Sequence, residues 1–317
     1  MRQAIYVLAM SCVAGTALAG EMFWSVTGGT AADGVGIYRA NLDGTGVTKI
    51  SSTADVIDLD FDSATGTLVW ATRDGRLITS DRDGADVSQI HQTAPGWGPS
   101  VGVHAGNVFF NYAANGAPAD SASGIYRVGL DGSNLTQLTS GSGGAGLGIN
   151  QSTGRIYWQN YVGAATGSAP LHSINADGTG ETVNDGYEQA AFWGSLAIGQ
   201  TTGDVYTTGE YWGLVALFRS DASGSSVSLV ADIADSIFSH FENDIQVVES
   251  RDEIYTGLLL GSFDNRESSI VVSSLDGTGT TELLSFDGSI GGLAVVIPAP
   301  GTAGLLAIGA LAFRRRR

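Results

Sequence analysis

Three sets of residues in this 317-residue chain have the type and spacing to do chemistry. Asp58, Asp60 and Asp62 alternate along one short stretch, which on a strand aims all three carboxylates to one side. Hard cations such as calcium take carboxylate oxygens, so these are the candidate metal ligands. The spacing departs from a calcium-binding helix–loop–helix, with Ser63 where the loop needs glycine and Val69 where it needs glutamate. The competing expectation is that the aspartates bond backbone groups of a neighbouring repeat. The second set is the four histidines, His91, His104, His172 and His240, of which only His240 has nearby carboxylates, Glu242 and Asp244. No zinc-protease H-E-x-x-H, no G-x-S-x-G nucleophile elbow and no nucleotide-binding glycine loop accompanies them. The third set is aromatic: Trp97, Tyr112, Tyr161, Tyr187, Trp193, Tyr211 and Trp212 all fall between predicted strands. Such rings stack on sugars or anchor a protein partner when exposed, and pack beneath loops when not.

The elements that must position these residues are strands. Glycine is abundant (46) and proline scarce (6), and Val, Ile, Tyr and Trp are evenly scattered, a composition that suits short strands joined by tight turns. No stretch within 20–290 keeps a long 3.6-residue apolar period. The formal charge is −17; without Arg2, Arg314, Arg315, Arg316 and Arg317, 10 basic residues face 32 acidic ones, a net of −22. A surface that acidic repels phosphate backbones and anionic membranes, so nucleic acid is excluded as an expected partner. The sole cysteine, Cys12, lies near the N-terminus, leaving the body without disulfides.

The two ends read as processing segments. Met1-Arg2-Gln3, an apolar run from Ala4 to about Ala14, and Ala17-Leu18-Ala19 form a secretory signal over 1–19, with cleavage between Ala19 and Gly20. At the other end, Pro298-Ala299-Pro300 precedes an apolar run over 301–313 and then Arg314, Arg315, Arg316 and Arg317. This order resembles the PEP-CTERM sorting signal of bacterial exosortase systems, with Ala299 in place of the motif's acidic residue. The resemblance implies an exosortase-type processing enzyme as partner and membrane contact only through residues 298–317. The arginines would remain on the cytoplasmic side.

Between the ends the chain repeats. A unit of the form Ile-Tyr-Arg-x-x-Leu-Asp-Gly begins at Ile37 and again at Ile125, with weaker copies from Leu77, Leu171, Leu217 and Ile270. Their turns begin at Asp43, Asp83, Asp131, Asp177, Ser223 and Asp276. An aromatic-rich strand recurs in phase, as in Phe23-Trp24, Val69-Trp70, Phe109-Phe110 and Tyr157-Trp158, and a short apolar strand precedes most copies. Four short strands repeated six times predict an all-β, six-bladed β-propeller over residues 20–297. The first unit lacks its innermost strand while an orphan strand, 291–296, follows the last, so the two termini are expected to close one blade. Leu59-Asp60-Phe61-Asp62, Leu68-Val69-Trp70 and Arg155-Ile156-Tyr157-Trp158 make the chain resemble the YWTD propellers of low-density-lipoprotein receptors, although the full Tyr-Trp-Thr-Asp string is nowhere intact.

In this plan the variable connections gather on one face and carry Trp97, Tyr161, Tyr187, Trp193 and Trp212, the candidate binding residues. The expected role is that of an exported bacterial cell-surface or matrix-associated module. It would be non-catalytic and without a cofactor, binding extracellular polysaccharide or a surface protein. The alternative is a metal-dependent hydrolase of the gluconolactonase kind. Its channel ligands would have to come from Glu242, Asn243 and Asp244, or from Asn150.

Overall fold

A computed structural model describes residues 20–28, 34–93, 96–97, 100–114, 121–141, 144–160, 170–184, 195–211, 214–234, 244–259 and 267–297. Apart from one 3-10 turn at Glu249–Arg251, its regular structure is strand. The first blade holds β1 (Glu21–Thr27), β2 (Gly36–Asn41) and β3 (Thr48–Ser51). The second holds β4 (Val56–Asp62), β5 (Thr67–Thr72), β6 (Arg76–Asp81) and β7 (Ser88–Gln92). The third opens with a two-residue strand, β8 (Gly96–Trp97), before β9 (Val101–His104), β10 (Asn107–Ala114), β11 (Gly124–Gly129) and β12 (Thr136–Gln137). The fourth holds β13 (Gly144–Asn150), β14 (Arg155–Asn160), β15 (Leu171–Asn175) and β16 (Thr182–Asn184). The fifth holds β17 (Leu196–Ile198), β18 (Val205–Tyr211), β19 (Leu214–Ser220) and β20 (Ser228–Ala234). The sixth holds β21 (Asp244–Val248), β22 (Glu253–Leu259), β23 (Glu267–Ser273) and β24 (Thr281–Asp287). The last strand, β25 (Ser289–Val296), returns to the first blade and pairs antiparallel with β1, Glu21 opposite Val296 and Trp24 opposite Leu293. The chain is a six-bladed β-propeller of antiparallel, four-stranded blades, closed by its two terminal strands as the repeat arithmetic predicts.

Why the second and third strands read as continuous apolar runs follows from this packing. Each blade is covered on both faces by its neighbours, so alternation is lost except at the outermost strands. In β5 every residue from Leu68 to Thr72 is buried, whereas β3, β7 and β16 are polar and largely exposed. The core lies between blades. Trp70 is buried among Phe23, Ile37, Leu59 and Ala294, and Trp158 among Phe109, Ile125 and Leu147. On the paired second and third strands, aromatic partners stack at matching register: Trp24 on Tyr38 (5.6 Å), Phe110 on Tyr126 (5.3 Å) and Trp158 on His172 (5.2 Å).

The Asp-Gly turns do two jobs. Asp43 Oδ1 accepts from the Thr45 N–H at 2.9 Å and from Thr45 Oγ1 at 2.6 Å, and Asp177 and Asp276 repeat the pattern with Thr179 and Thr278. Gly44, at φ +79°, supplies the left-handed step. It also lets the turn seat on the preceding blade, where a Cβ would lie 2.7 Å from the Leu283 carbonyl; at Gly132 it would lie 2.8 Å from the Ile90 carbonyl.

Two residues expected in connections lie on strands. Tyr211 reads as lying between strands, but β18 and β19 stay paired out to Tyr211 opposite Leu214. The antiparallel ladder runs on through it, so its backbone groups are paired rather than turned into a connection. Tyr112 likewise lies on β10, buried and edge-on to Tyr126, rather than in a connection.

Candidate functional site

The inner strands β4, β9, β13, β17, β21 and β25 surround the axis, and their ends define two faces. The turns from first to second strand and the Asp-Gly turns open on one, the narrow-turn face; the connections between blades open on the other, the loop face. Side chains of these strands point into the joints between blades, so each joint shows what its polar residues are used for.

At the joint between the second and third blades, Asp58 and Asp60 step in parallel with Val101 and Val103. The Val101 N–H donates to Asp58 Oδ2 at 2.8 Å and the Val103 N–H to Asp60 Oδ2 at 2.7 Å. Their other oxygens accept from Leu59 and Phe61, each at 2.8 Å. Asp62 turns away to its own hairpin, accepting from the Ala64 N–H at 2.9 Å and from Thr65 Oγ1 at 2.8 Å. The three aspartates therefore do not converge on a common point.

The remaining joints use the same device with other residues. Between the third and fourth blades Asn111 Nδ2 donates to the Gly146 carbonyl at 3.4 Å, and Gln151 Nε2 to the Val103 carbonyl at 2.7 Å. His104 Nδ1 donates to Gln151 Oε1 at 3.0 Å. Between the fourth and fifth, Gln200 accepts from the Gln151 N–H at 2.6 Å and donates to the Ile149 carbonyl at 3.0 Å. Between the fifth and sixth, Glu249 accepts from the Thr201 and Thr202 N–H groups, and Ser195 Oγ donates to Asp244 Oδ1. Asp244 Oδ2 then accepts from the Leu293 N–H at 2.6 Å, holding the closing strand β25 to the sixth blade. Ser25 Oγ completes the circle by donating to the Val56 carbonyl at 3.2 Å.

Burial raises the pKa of the carboxylates packed in the joints between blades. It pushes Asp60 and Asp244 up to about 6. Asp58 lies well above the ordinary aspartate range, first through burial and then through the neighbouring charge of Asp244. The turn aspartates move the opposite way: bonds from Ser223 and Ser225 hold Asp221 at about 2, and Asp43, Asp131, Asp177 and Asp276 are also lowered by the residue two places on.

The proposed hydrolase ligands are not brought together among the described residues. Asn150 ends β13 on the narrow-turn face, where its Oδ1 accepts from Ser152 and Thr153. Asp244 begins β21 at the loop face, occupied with Leu293 and Ser195. Glu242, Asn243 and His240 lie outside the described residues. Among the described residues no group of three or more His, Cys, Asp or Glu side chains could hold a metal ion. His91 tilts against Phe110, His104 bonds Gln151 and His172 stacks on Trp158, so the three described histidines serve different places. Of the candidate binding aromatics, Trp97 sits on β8, paired with Ala113 at the loop-face end of β10. Tyr161, Tyr187, Trp193 and Trp212 lie outside the described residues, as do Ala19, Pro298, Pro300, Arg314, Arg315, Arg316 and Arg317.

No family model matches the chain, and no curated protein matches it. Solved structures do. A TolB from Acinetobacter baumannii superposes with a TM-score of 0.66 at 12% identity, over 87% of this chain and 66% of that one. This chain thus spans just under two thirds of that protein. A candidate TolB from Agrobacterium tumefaciens gives 0.61 at 13% identity, over 86% and 91%. A candidate 6-phosphogluconolactonase from Bacteroides fragilis gives 0.52 at 13%, over 89% and 99%. At such identities the likeness is one of fold.

Sequence reading missed Ser195, Asn111, Gln151, Gln200 and Glu249. A signal was present for three of them. Gln151, Gln200 and Glu249 occupy the same place after the inner strand in successive repeats, visible once the repeats are aligned on their turns.

Proposed function

We propose that this chain is an exported, envelope-associated propeller that acts as a non-catalytic binding or structural module, without a resident cofactor. On this reading residues 298–317 sort it through an exosortase-type enzyme, and the loop face engages extracellular polysaccharide or a surface protein. The observation that carries the non-catalytic reading is the use made of the inner-strand polar groups. Asp58, Asp60, Asp244 and Glu249 each accept backbone N–H groups across a joint, so the residues best placed for channel chemistry are committed to holding blades together. The fold shared with the TolB structures agrees with an envelope location.

The test combines processing with binding. Intact mass of protein from surface and medium fractions is expected to match a chain from Gly20 to a point near Pro298, without stoichiometric metal. Replacing Trp97, Trp193 and Trp212 by Ala is expected to weaken binding to the producing cell's surface polymer at least tenfold. A mass retaining Arg314 to Arg317 on an otherwise mature chain would sink the sorting reading, and unchanged binding the loop-face reading.

A second reading, a metal-dependent lactonase, is favoured by one observation: Asp244 begins β21 at the loop-face end of an inner strand, directly after Glu242 and Asn243 in sequence. One bound divalent ion per chain and hydrolysis of a simple lactone, both lost in Glu242→Gln, would establish it.

A further inference from the structure

The two ends of the propeller leave it at one corner. Glu21, the first residue of β1, pairs with Val296, the last of β25. Gly20 is buried beside them, its carbonyl accepting from the Leu42 N–H at 3.2 Å. A Cβ on Gly20 would lie 2.5 Å from Leu42 Cδ1, 2.9 Å from Ile297 Cδ1 and 2.9 Å from the Val296 carbonyl. Leu42 opens the Asp43-Gly44 turn, so this corner belongs to the narrow-turn face, beside the innermost strands.

The covalent distance from that corner decides an orientation. Only three residues, 298–300, separate Ile297 from the apolar run 301–313. From Ile297 to residue 301 is four steps of about 3.5 Å, a reach of at most about 14 Å. An inner strand such as the seven-residue β4 rises about 20 Å from face to face. A path round the rim to the loop face must also cross a blade of four strands spaced about 4.8 Å apart. Three residues cannot make that journey.

We propose that, while the tail is held in a bilayer, the narrow-turn face is turned to the lipid surface and the loop face is directed away from it. This rests on the reading of residues 298–317 as a membrane-held tail. The face so presented is acidic: Asp43, Asp131, Asp177 and Asp276 lie in its exposed turns, each bonded by the Thr or Ser two places on. It meets anionic lipid by repulsion rather than adhesion, so the tether alone holds it there. The opposite face, with the long connections, is left free for a soluble or polymeric partner.

The experiment uses the chain from Gly20 to Arg317, which lacks the apolar run 4–14 as a second anchor and contains no cysteine. Ala64→Cys places a label in the exposed β4–β5 turn on the narrow-turn face, and Ala54→Cys places one in the exposed β3–β4 connection on the loop face. Both proteins are reconstituted into phosphatidylcholine vesicles carrying a headgroup spin label that quenches fluorescence. The label at residue 64 is expected to be quenched at least threefold more than that at residue 54, with unfolding midpoints unchanged. Equal or reversed quenching in protein that floats with the vesicles overturns the orientation and leaves the tail reading standing. Protein that fails to float, behaving like a chain ending at Ile297, overturns the tail reading and the orientation with it.

Discussion

Asp58, Asp60 and Asp244 show how little a residue's type says about its use. Their alternation and acidity suggest cation chemistry, yet each accepts backbone N–H groups from its own strand and from the next blade. Because burial raises Asp60 and Asp244 to about 6, the stability they contribute is fully present below the unfolded value near 3.8 and is lost as pH rises through about 6. Asp221 works the other way, its contribution present above 3.8 and lost as pH falls through about 2. The body is therefore expected to be more stable to urea at pH 5 than at pH 7.5. Asp60→Asn should remove about 1.4 kcal/mol of that difference, one pH unit's worth between pH 5 and the folded value near 6. A flat urea midpoint across this range would contradict the assignment. Trp70 offers a second test at this scale. Its Nε1 is buried with no hydrogen-bond partner among the described residues, as are those of Trp24 and Trp158. Trp70→Phe, which leaves a smaller void and loses no bond, is expected to cost less than Trp70→Ala, which should cost about 3–5 kcal/mol; equal losses in chemical denaturation would show that the indole N–H matters.

The blade is the next scale up, and its recurrent turn links it to its neighbour. The glycine of each Asp-Gly turn was legible as a positive-φ position from sequence. Its closeness to the preceding blade's outer strand was not, because that contact joins residues far apart in the chain, as Gly44 does with Leu283. Gly44→Ala should therefore cost more than the roughly 1 kcal/mol expected of backbone strain alone, and more than Gly66→Ala, where a Cβ would meet nothing within 4 Å. Thermal unfolding of the two variants compares them directly. The closing strand is the other element with a clear consequence. A chain ending at Ile297 is expected to unfold as the full chain does, whereas one ending at Gly288 leaves β1 and β4 without β25 and should lose cooperative unfolding. If the shorter chain keeps its midpoint, closure by β25 does not hold the ring.

For the whole molecule, a body with a net charge of −22 repels itself, and its basic groups are drawn into ion pairs such as Arg39 with Asp83 and Arg219 with Asp204. Raising salt from about 10 to 200 mM shortens the screening length roughly fourfold, so the unfolding midpoint is expected to rise by a few degrees. A fall would mean that the surface ion pairs outweigh the net repulsion. The sequence by itself determined the number of blades, their four-strand plan and the closure, since these depend on local periodicity and turn chemistry repeated six times. It also placed the closing strand at 291–296, within two residues of its final bounds, Ser289–Val296. Only the tertiary structure decided what the polar inner-strand residues do. Asp58 and Val101 are 43 residues apart, and Asp244 and Leu293 are 49 apart. A hydrogen bond between such residues exists only once the ring has closed, so nothing in the local sequence could distinguish a clasp between blades from a ligand set.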